Sequence, residues 1–189
     1  MINKESHILN HNKNDKKDKK DKKDKKDKYN NYIICLTRFN EFTLNENKRW
    51  RENNKHNGCI YGTPVKISDN IIPNSNVLVI EMNNSKNIIE GIGFIKNKLH
   101  YNKKLYKIYQ DNNYNRFIYK SNIRIDKNDF QYLNNSLLTN IEDIEEKLFK
   151  SKKHSKRGQG IQNVSSNFNY DDKQIIISLY YYYKQIILL

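Results

Sequence analysis

Residues 77–95, VLVIEMNNSKNIIEGIGFI, limit the fold of this chain more than any other stretch. Val77 to Ile80 form an unbroken apolar run that continues into Glu81 and Met82. Asn83 to Asn87 are turn formers, and Ile88 to Ile95 lead back. Two β-branched runs around a short polar turn predict a β-hairpin. Gly91 and Gly93 stand two apart, on one face of the return strand. Glycine weakens a strand unless something must approach the backbone closely or the sheet must curl. A small barrel asks for both.

The other segments supply short partners for that hairpin. NYIICLTRF, residues 31–39, predicts an opening strand. The polar stretch after it, with Phe39, Phe42 and Trp50 spread along it, fits a short helix or a long loop. In NGCIYGTPVKI, Gly58, Gly62 and Pro64 turn the chain on both sides of Ile60-Tyr61. LYKIY, RFIYK and NIRI are short alternating runs that predict at least two more strands. From Asn140, an N-cap candidate, Ile141, Ile144, Leu148 and Phe149 fall on one helical face. Acids at 142–146 followed by lysines at 150–153 suit the helix dipole, and Gly158 and Gly160 end the helix. Residues 161–173 read as loop and 174–189 as a closing strand or helix. The expected fold is α+β: a small, curled, mostly antiparallel β-barrel over residues 29–135 with one or two helices. Residues 136–189 (helix, basic glycine loop and closing segment) pack on that barrel.

Residues 1–28 stand apart. Their DKKDKKDKKDKKDK repeat keeps no apolar face and cannot offset its ordering entropy, so a disordered, basic, low-complexity tail is expected. The tail holds eleven lysines against six acids, so nine of the fourteen net positive charges belong to residues 29–189. A body that is basic without its tail suits a polyanionic partner. The plainer reading is codon bias: Asn, Lys, Ile and Tyr abound and Ala is absent, as in the AT-rich genomes of some giant viruses and protists. Cys35 and Cys59 have neither zinc nor disulfide spacing, and no signal-peptide core opens the sequence. The C-terminal IIISLYYYYKQIILL is too short to span a bilayer and is interrupted by Lys184. The expectation is an intracellular protein, of cytoplasm or nucleus, with no membrane partner.

YIICLTR, GCIYGTP, the 77–95 hairpin and RFIYKSNIRIDKNDF follow one another in an order that resembles the PUA-like superfamily, nearest to its YTH and EVE branches. The resemblance covers residues 31–130. In those families an opening strand leads to a Gly-aromatic-small turn, then to a glycine-bearing hairpin, then to a strand with a basic segment. Glu90-Gly91-Ile92-Gly93-Phe94-Ile95 is close to the end of that hairpin. The resemblance implies a small β-barrel that takes one base of RNA or DNA, modified in those two branches, into an aromatic-lined pocket. Trp50 and Tyr61 would supply stacking surfaces, and Asn83 or Asn84 an amide for a base edge, since an amide both donates and accepts. A second cage aromatic would come from Tyr101, Tyr106 or Tyr109. The sequence departs from the family where Ile60-Tyr61 stand in place of the Trp after the turn glycine.

Two basic features complete the candidates. Arg116, in DNNYNRFIYK, can grip a phosphate or a base. In KSKKHSKRGQGI, Lys152, Lys153, His154, Lys156 and Arg157 precede Gly158 and Gly160, whose N–H groups can approach an oxyanion. A solvated helix end is the plainer reading of that run, and its order is not that of a Walker A loop. The five histidines are scattered, and no nucleophile elbow, HExxH or paired-carboxylate signature occurs. No metal, cofactor or catalytic residue is therefore expected. The expected function is a reader module for single-stranded nucleic acid, RNA in preference to DNA. It would hold one base, modified or not, in the aromatic pocket beside the basic backbone-contact loop. Two alternatives stay open: a protein-interaction subunit docking through residues 175–189, and a modified-nucleoside hydrolase of the ASCH branch using Lys66, Thr63 and Glu81.

Overall fold

The computed structural model describes residues 32–187 apart from 101–105, 134, 165 and 167; the N-terminal tail and Tyr101 lie outside the described residues. The chain divides into Met1–Asn31 and Tyr32–Leu189, and the description below concerns the second unit.

The hairpin forms as β3 (Asn76–Asn83) and β4 (Ile88–Lys96). Asn83 closes its turn: Oδ1 accepts the backbone N–H groups of Ser85 and Lys86, and Asn87 takes the left-handed conformation at φ 58°. The opening strand, β1 (Tyr32–Phe39), lies parallel to β3, with Ile34 opposite Leu78 and Leu36 opposite Ile80. A parallel pair needs a crossover, and α1 (Glu41–Asn53) supplies it. Asn40 starts that helix with a capping box, its Oδ1 accepting Thr43 N–H at 2.8 Å while Thr43 Oγ1 accepts Asn40 N–H at 3.2 Å. The choice between helix and loop was settled by this cap and by Leu44, Asn47 and Trp50, which recur every three residues and are buried.

β2 (Cys59–Thr63) follows α1, and β5 (Phe117–Ser121) and β6 (Ile123–Asp126) follow a 3-10 turn at Asn112–Asn115. After a second 3-10 segment come α2 (Asn135–Phe149), β7 (Gln162–Asn163) and α3 (Tyr170–Ile187). The main sheet runs β6-β4-β3-β1-β7, while β2 and β5 form a separate antiparallel ribbon. The fold is α+β as expected, but the strands do not close into a barrel. The sheet ends at β6 and β7, four and two residues long, too short to pair across the gap. The ribbon crosses one face instead, packing β5 and β2 on β4.

Every residue of β3 from Val77 to Asn83 is buried, because both faces of the sheet are covered. Cys35, Val77, Val79 and Ile95 face the ribbon and α1, packing with Ile60, Tyr61, Leu44 and Trp50. On the other side α2 contacts β4 and α3 contacts β1. There Tyr180 stacks on Phe94 at 4.9 Å and lies 5.5 Å from Tyr32.

Three expectations need correction. LYKIY supplies no strand among its described residues; Asn115 instead pins residues 108–109, accepting both their N–H groups and donating to Tyr109 O at 2.6 Å. The helix expected from Asn140 starts at Asn135, since Leu137, Leu138 and Thr139 extend the helical pattern backwards, though Ile141, Ile144, Leu148 and Phe149 are all buried as expected. It ends at Phe149, where Ser155 N–H returns to Leu148 O, so Gly158 and Gly160 belong to the loop beyond it. The closing segment is helical, begun by a reciprocal cap in which Asn169 Oδ1 accepts Asp172 N–H and Asp172 Oδ2 accepts Asn169 N–H. Among the described residues no helix is long and apolar enough to cross a membrane.

Candidate functional site

What approaches Gly91 and Gly93 is a buried ion network. A Cβ at Gly93 would overlap the Tyr61 hydroxyl, and one at Gly91 would lie 2.5 Å from Arg124 Nη2. Through the space the glycines leave, Tyr61 donates to Glu81 Oε1 at 2.7 Å and Arg124 donates to both Glu81 oxygens, the shortest contact being 2.7 Å. Arg124 also donates to Asp126 and to Glu90 O. Burial alone would lower the Arg124 pKa; the charge and hydrogen bonds of Glu81, with those of Asp126, outweigh it and hold the group above its ordinary value.

That network takes Tyr61 and Asn83 out of any base pocket. Tyr61 is 1 % exposed, and burial first, then neighbouring charges, push its phenol well above the ordinary value. Asn83 is fully buried; its amide donates to Glu41 Oε1 at 2.7 Å and Glu90 Oε1 at 2.9 Å, and its oxygen holds the turn. Trp50 packs in the core beside Tyr106 at 6.0 Å, with Lys120 Nζ 5.6 Å from each ring. Trp50 also lines, with Tyr109, a hollow of about 210 Å³ between α1 and residues 107–110.

Five of the remaining candidates converge elsewhere. A cleft of about 210 Å³ lies at the end of β1, between the start of α1, the end of β2 and the glycine loop. Asn84, Tyr109, Lys156, Gly158 and Gly160 line it, joining expected base-pocket residues to expected backbone-contact residues. Tyr109, only 3 % exposed, has its hydroxyl accepting from Asn47 at 3.1 Å, and half-buried Tyr114 stands beside it at 6.0 Å. Gly62 lets this pair sit over β2, since a Cβ there would lie 3.0 Å from Tyr109 Cε2. Asn84 donates its amide N–H to Lys156 O at 2.9 Å, which fixes the orientation of the amide and leaves buried Oδ1 with no hydrogen-bond partner. Gly158 and Gly160, at φ 124° and 69°, hold conformations that other residues rarely adopt.

Arg38, which the sequence did not single out, lines the same cleft. Its side chain donates from Nε to Ser155 O at 2.5 Å and from Nη1 to Gln162 Oε1 at 3.0 Å. Both acceptors are neutral. Burial lowers its pKa with no carboxylate to oppose it. The signal was available: Arg38 is the one charged residue within YIICLTRF.

Lys152, Lys153, His154 and Arg157 are exposed on the same loop but do not line the cleft, and Lys156 is half-buried within it. Arg116 is exposed with its guanidinium 5.5 Å from the Phe117 ring, apart from the cleft. The ASCH-type trio does not share a site. Thr63 lines the Arg38 cleft, Lys66 lies over Phe117 at 5.7 Å, and Glu81 is bound by Arg124. A larger hollow of about 620 Å³, beside α1 and β6, mixes Lys48, Arg51, Lys55, Arg124 and Lys127 with Glu52, Asp126 and Asp129. No protein-family model, curated protein or solved structure matches this chain.

Proposed function

We propose that this protein binds single-stranded nucleic acid, RNA in preference to DNA, and takes a base, modified or not, into the cleft at the end of β1. We read the sheet crossed by the β2–β5 ribbon as an open form of the PUA-like barrel. One observation carries the functional reading: the cleft gathers a polar amide, two tyrosines and the basic glycine loop, and among the described residues no carboxylate lines it. Asn84 Oδ1 is buried with no hydrogen-bond partner, which costs about 1–3 kcal/mol, and a base amine or imide would satisfy it once the Asn84–Lys156 contact opens. Half-buried Tyr114, with buried Tyr109 beside it, would supply aromatic surface for a base. The exposed Lys152, Lys153, His154 and Arg157 extend a positive surface along which a strand can leave.

The test is binding of the full chain to fluorescent single-stranded RNA and DNA oligomers at two salt concentrations. Asn84→Ala and Lys156→Gln should each weaken RNA binding. The basic tail contributes equally to parent and variants, so the ratio reports the cleft. Equal affinities of parent and variants would sink the reading.

The docking reading has its own observation, a mostly apolar groove of about 250 Å³ lined by Ile125, Tyr132, Leu133, Leu179, Tyr182 and Tyr183, with Asp129 among them. The face of α3 bearing Ile176, Ile177, Leu179 and Tyr180 is itself buried, so a partner would meet the groove rather than the whole segment. Binding there would persist in high salt, where nucleic-acid binding falls.

A further inference from the structure

We propose that the cleft holds a phosphate group on Arg38, with Lys156 as the second cation, and that the ligand is a nucleotide bound through that phosphate. The identity of the ligand rests on the nucleic-acid reading above; the anion site rests on Arg38 alone.

Arg38 sits near the end of β1, whose backbone is paired to β3 on one side and, at Cys35 and Leu36, to β7 on the other. Its position is therefore fixed by a sheet rather than by a loop. A guanidinium has five N–H donors, and Arg38 uses two, both on neutral oxygens. Among the described residues it forms no ion pair, although six lysine and arginine contacts to carboxylates exist elsewhere in the fold. A half-buried cation without an anion is unfavourable, so the fold holds a charge whose partner comes from outside.

The surroundings fit an anion. Lys156 is the other charged residue of the lining. Asn40 and Thr43 bring the first turn of the 13-residue α1 to the cleft, with its positive dipole end. The two Nη groups of Arg38 keep free donors in the planar fork that matches two phosphate oxygens. The larger hollow beside β6 lacks this character, because Glu52, Asp126 and Asp129 share its lining and Lys48, Lys127 and Arg124 are already paired with carboxylates.

Titration calorimetry of the full chain with orthophosphate, adenosine 5′-monophosphate and adenosine, at constant ionic strength, tests the proposal. The nucleotide should bind about tenfold or more tightly than the nucleoside. Orthophosphate should displace it. Arg38→Gln, shown to be folded by its unfolding midpoint, should remove the difference between nucleotide and nucleoside. Arg38→Lys should restore only part of it, since an ammonium cannot make the forked contact. Equal binding of nucleotide and nucleoside, an Arg38→Gln variant that keeps the difference, or no binding of any of the three would overturn the phosphate site. Salt-sensitive RNA binding untouched by Arg38→Gln would leave the reader standing and remove this inference. Phosphate binding lost in Arg38→Gln, without RNA binding, would do the reverse.

Discussion

Arg124 and Arg38 occupy opposite electrostatic situations in one small sheet. Arg124, on β6, is buried against Glu81, with Asp126 and Glu90 O around it. Arg38, on β1, is held by a carbonyl and an amide and faces a cleft without a carboxylate. The first charge is spent inside the fold and holds β3, β4 and β6 in register with the β2 ribbon. The second remains available. The comparison teaches that the count of basic residues says little about binding; whether a carboxylate stands within reach decides which cations can take a ligand.

The sharpest way to break the comparison is to remove each arginine. Arg124→Leu should cost about 3–5 kcal/mol, because Glu81 would be left buried and uncompensated. Arg38→Gln should cost about 1–2 kcal/mol, since it loses two hydrogen bonds to neutral acceptors but breaks no ion pair and removes a half-buried charge. Urea unfolding monitored by circular dichroism gives both numbers, and equal losses would void the distinction.

Next in size is the glycine that admits the network. Gly93→Ala should lose about 1–3 kcal/mol, as its Cβ would overlap the Tyr61 hydroxyl and Cys59 Cβ. Combined with Tyr61→Phe, which deletes that hydroxyl, the loss should fall short of the sum of the single losses. A double-mutant cycle measures the coupling, and strict additivity would mean that the hydroxyl is not what the glycine accommodates.

A smaller effect sharpens the other side. The slope of log affinity for single-stranded RNA against log salt should flatten by about 0.7 in Arg38→Gln and again in Lys156→Gln. Tyr61→Phe should leave it unchanged, since Tyr61 faces Glu81 rather than the cleft. A flattened slope in Tyr61→Phe would mean that the two regions are not separate.

The smallest effect concerns acid. Burial alone would raise the Glu90 and Asp126 pKa values. Hydrogen bonds from Asn83 and Lys48 to Glu90, and from Asn128 N–H and Arg124 to Asp126, outweigh it and hold both below the ordinary carboxylate range. Groups whose folded pKa is depressed contribute stability above their unfolded pKa and lose it as pH falls through the folded value. Stability should therefore decline below about pH 4, and Glu90→Gln should shallow that decline. Glu145, raised chiefly by burial, acts in the opposite sense and trims the effect.

Much of the fold was legible because its signals are local. The hairpin follows from β-branched runs and an Asn-rich turn, and the buried face of α2 from the spacing of Ile141, Ile144, Leu148 and Phe149. The paired glycines correctly announced a close approach at β4, though not what approaches. Of the candidate site, the sequence named residues that meet in one cleft (Asn84, Tyr109, Lys156, Gly158 and Gly160) and others, Tyr61, Trp50 and Asn83, that are buried in the fold. Burial of an aromatic and satisfaction of an amide depend on neighbours dozens of residues away, as with Glu81 for Tyr61 and Glu41 for Asn83.

The sequence alone determined the opening strand, the β3–β4 hairpin with its turn and the buried face of α2, since alternation, turn residues and helical spacing act over a few residues. It also determined that the body is basic. Tertiary structure decided that the sheet stays open, because its edge strands are too short to close it. It also decided which charges remain free. Arg124 meets Glu81 across 43 residues and Arg38 donates to Ser155 and Gln162 across 117 and 124, and such encounters exist only once the chain has folded.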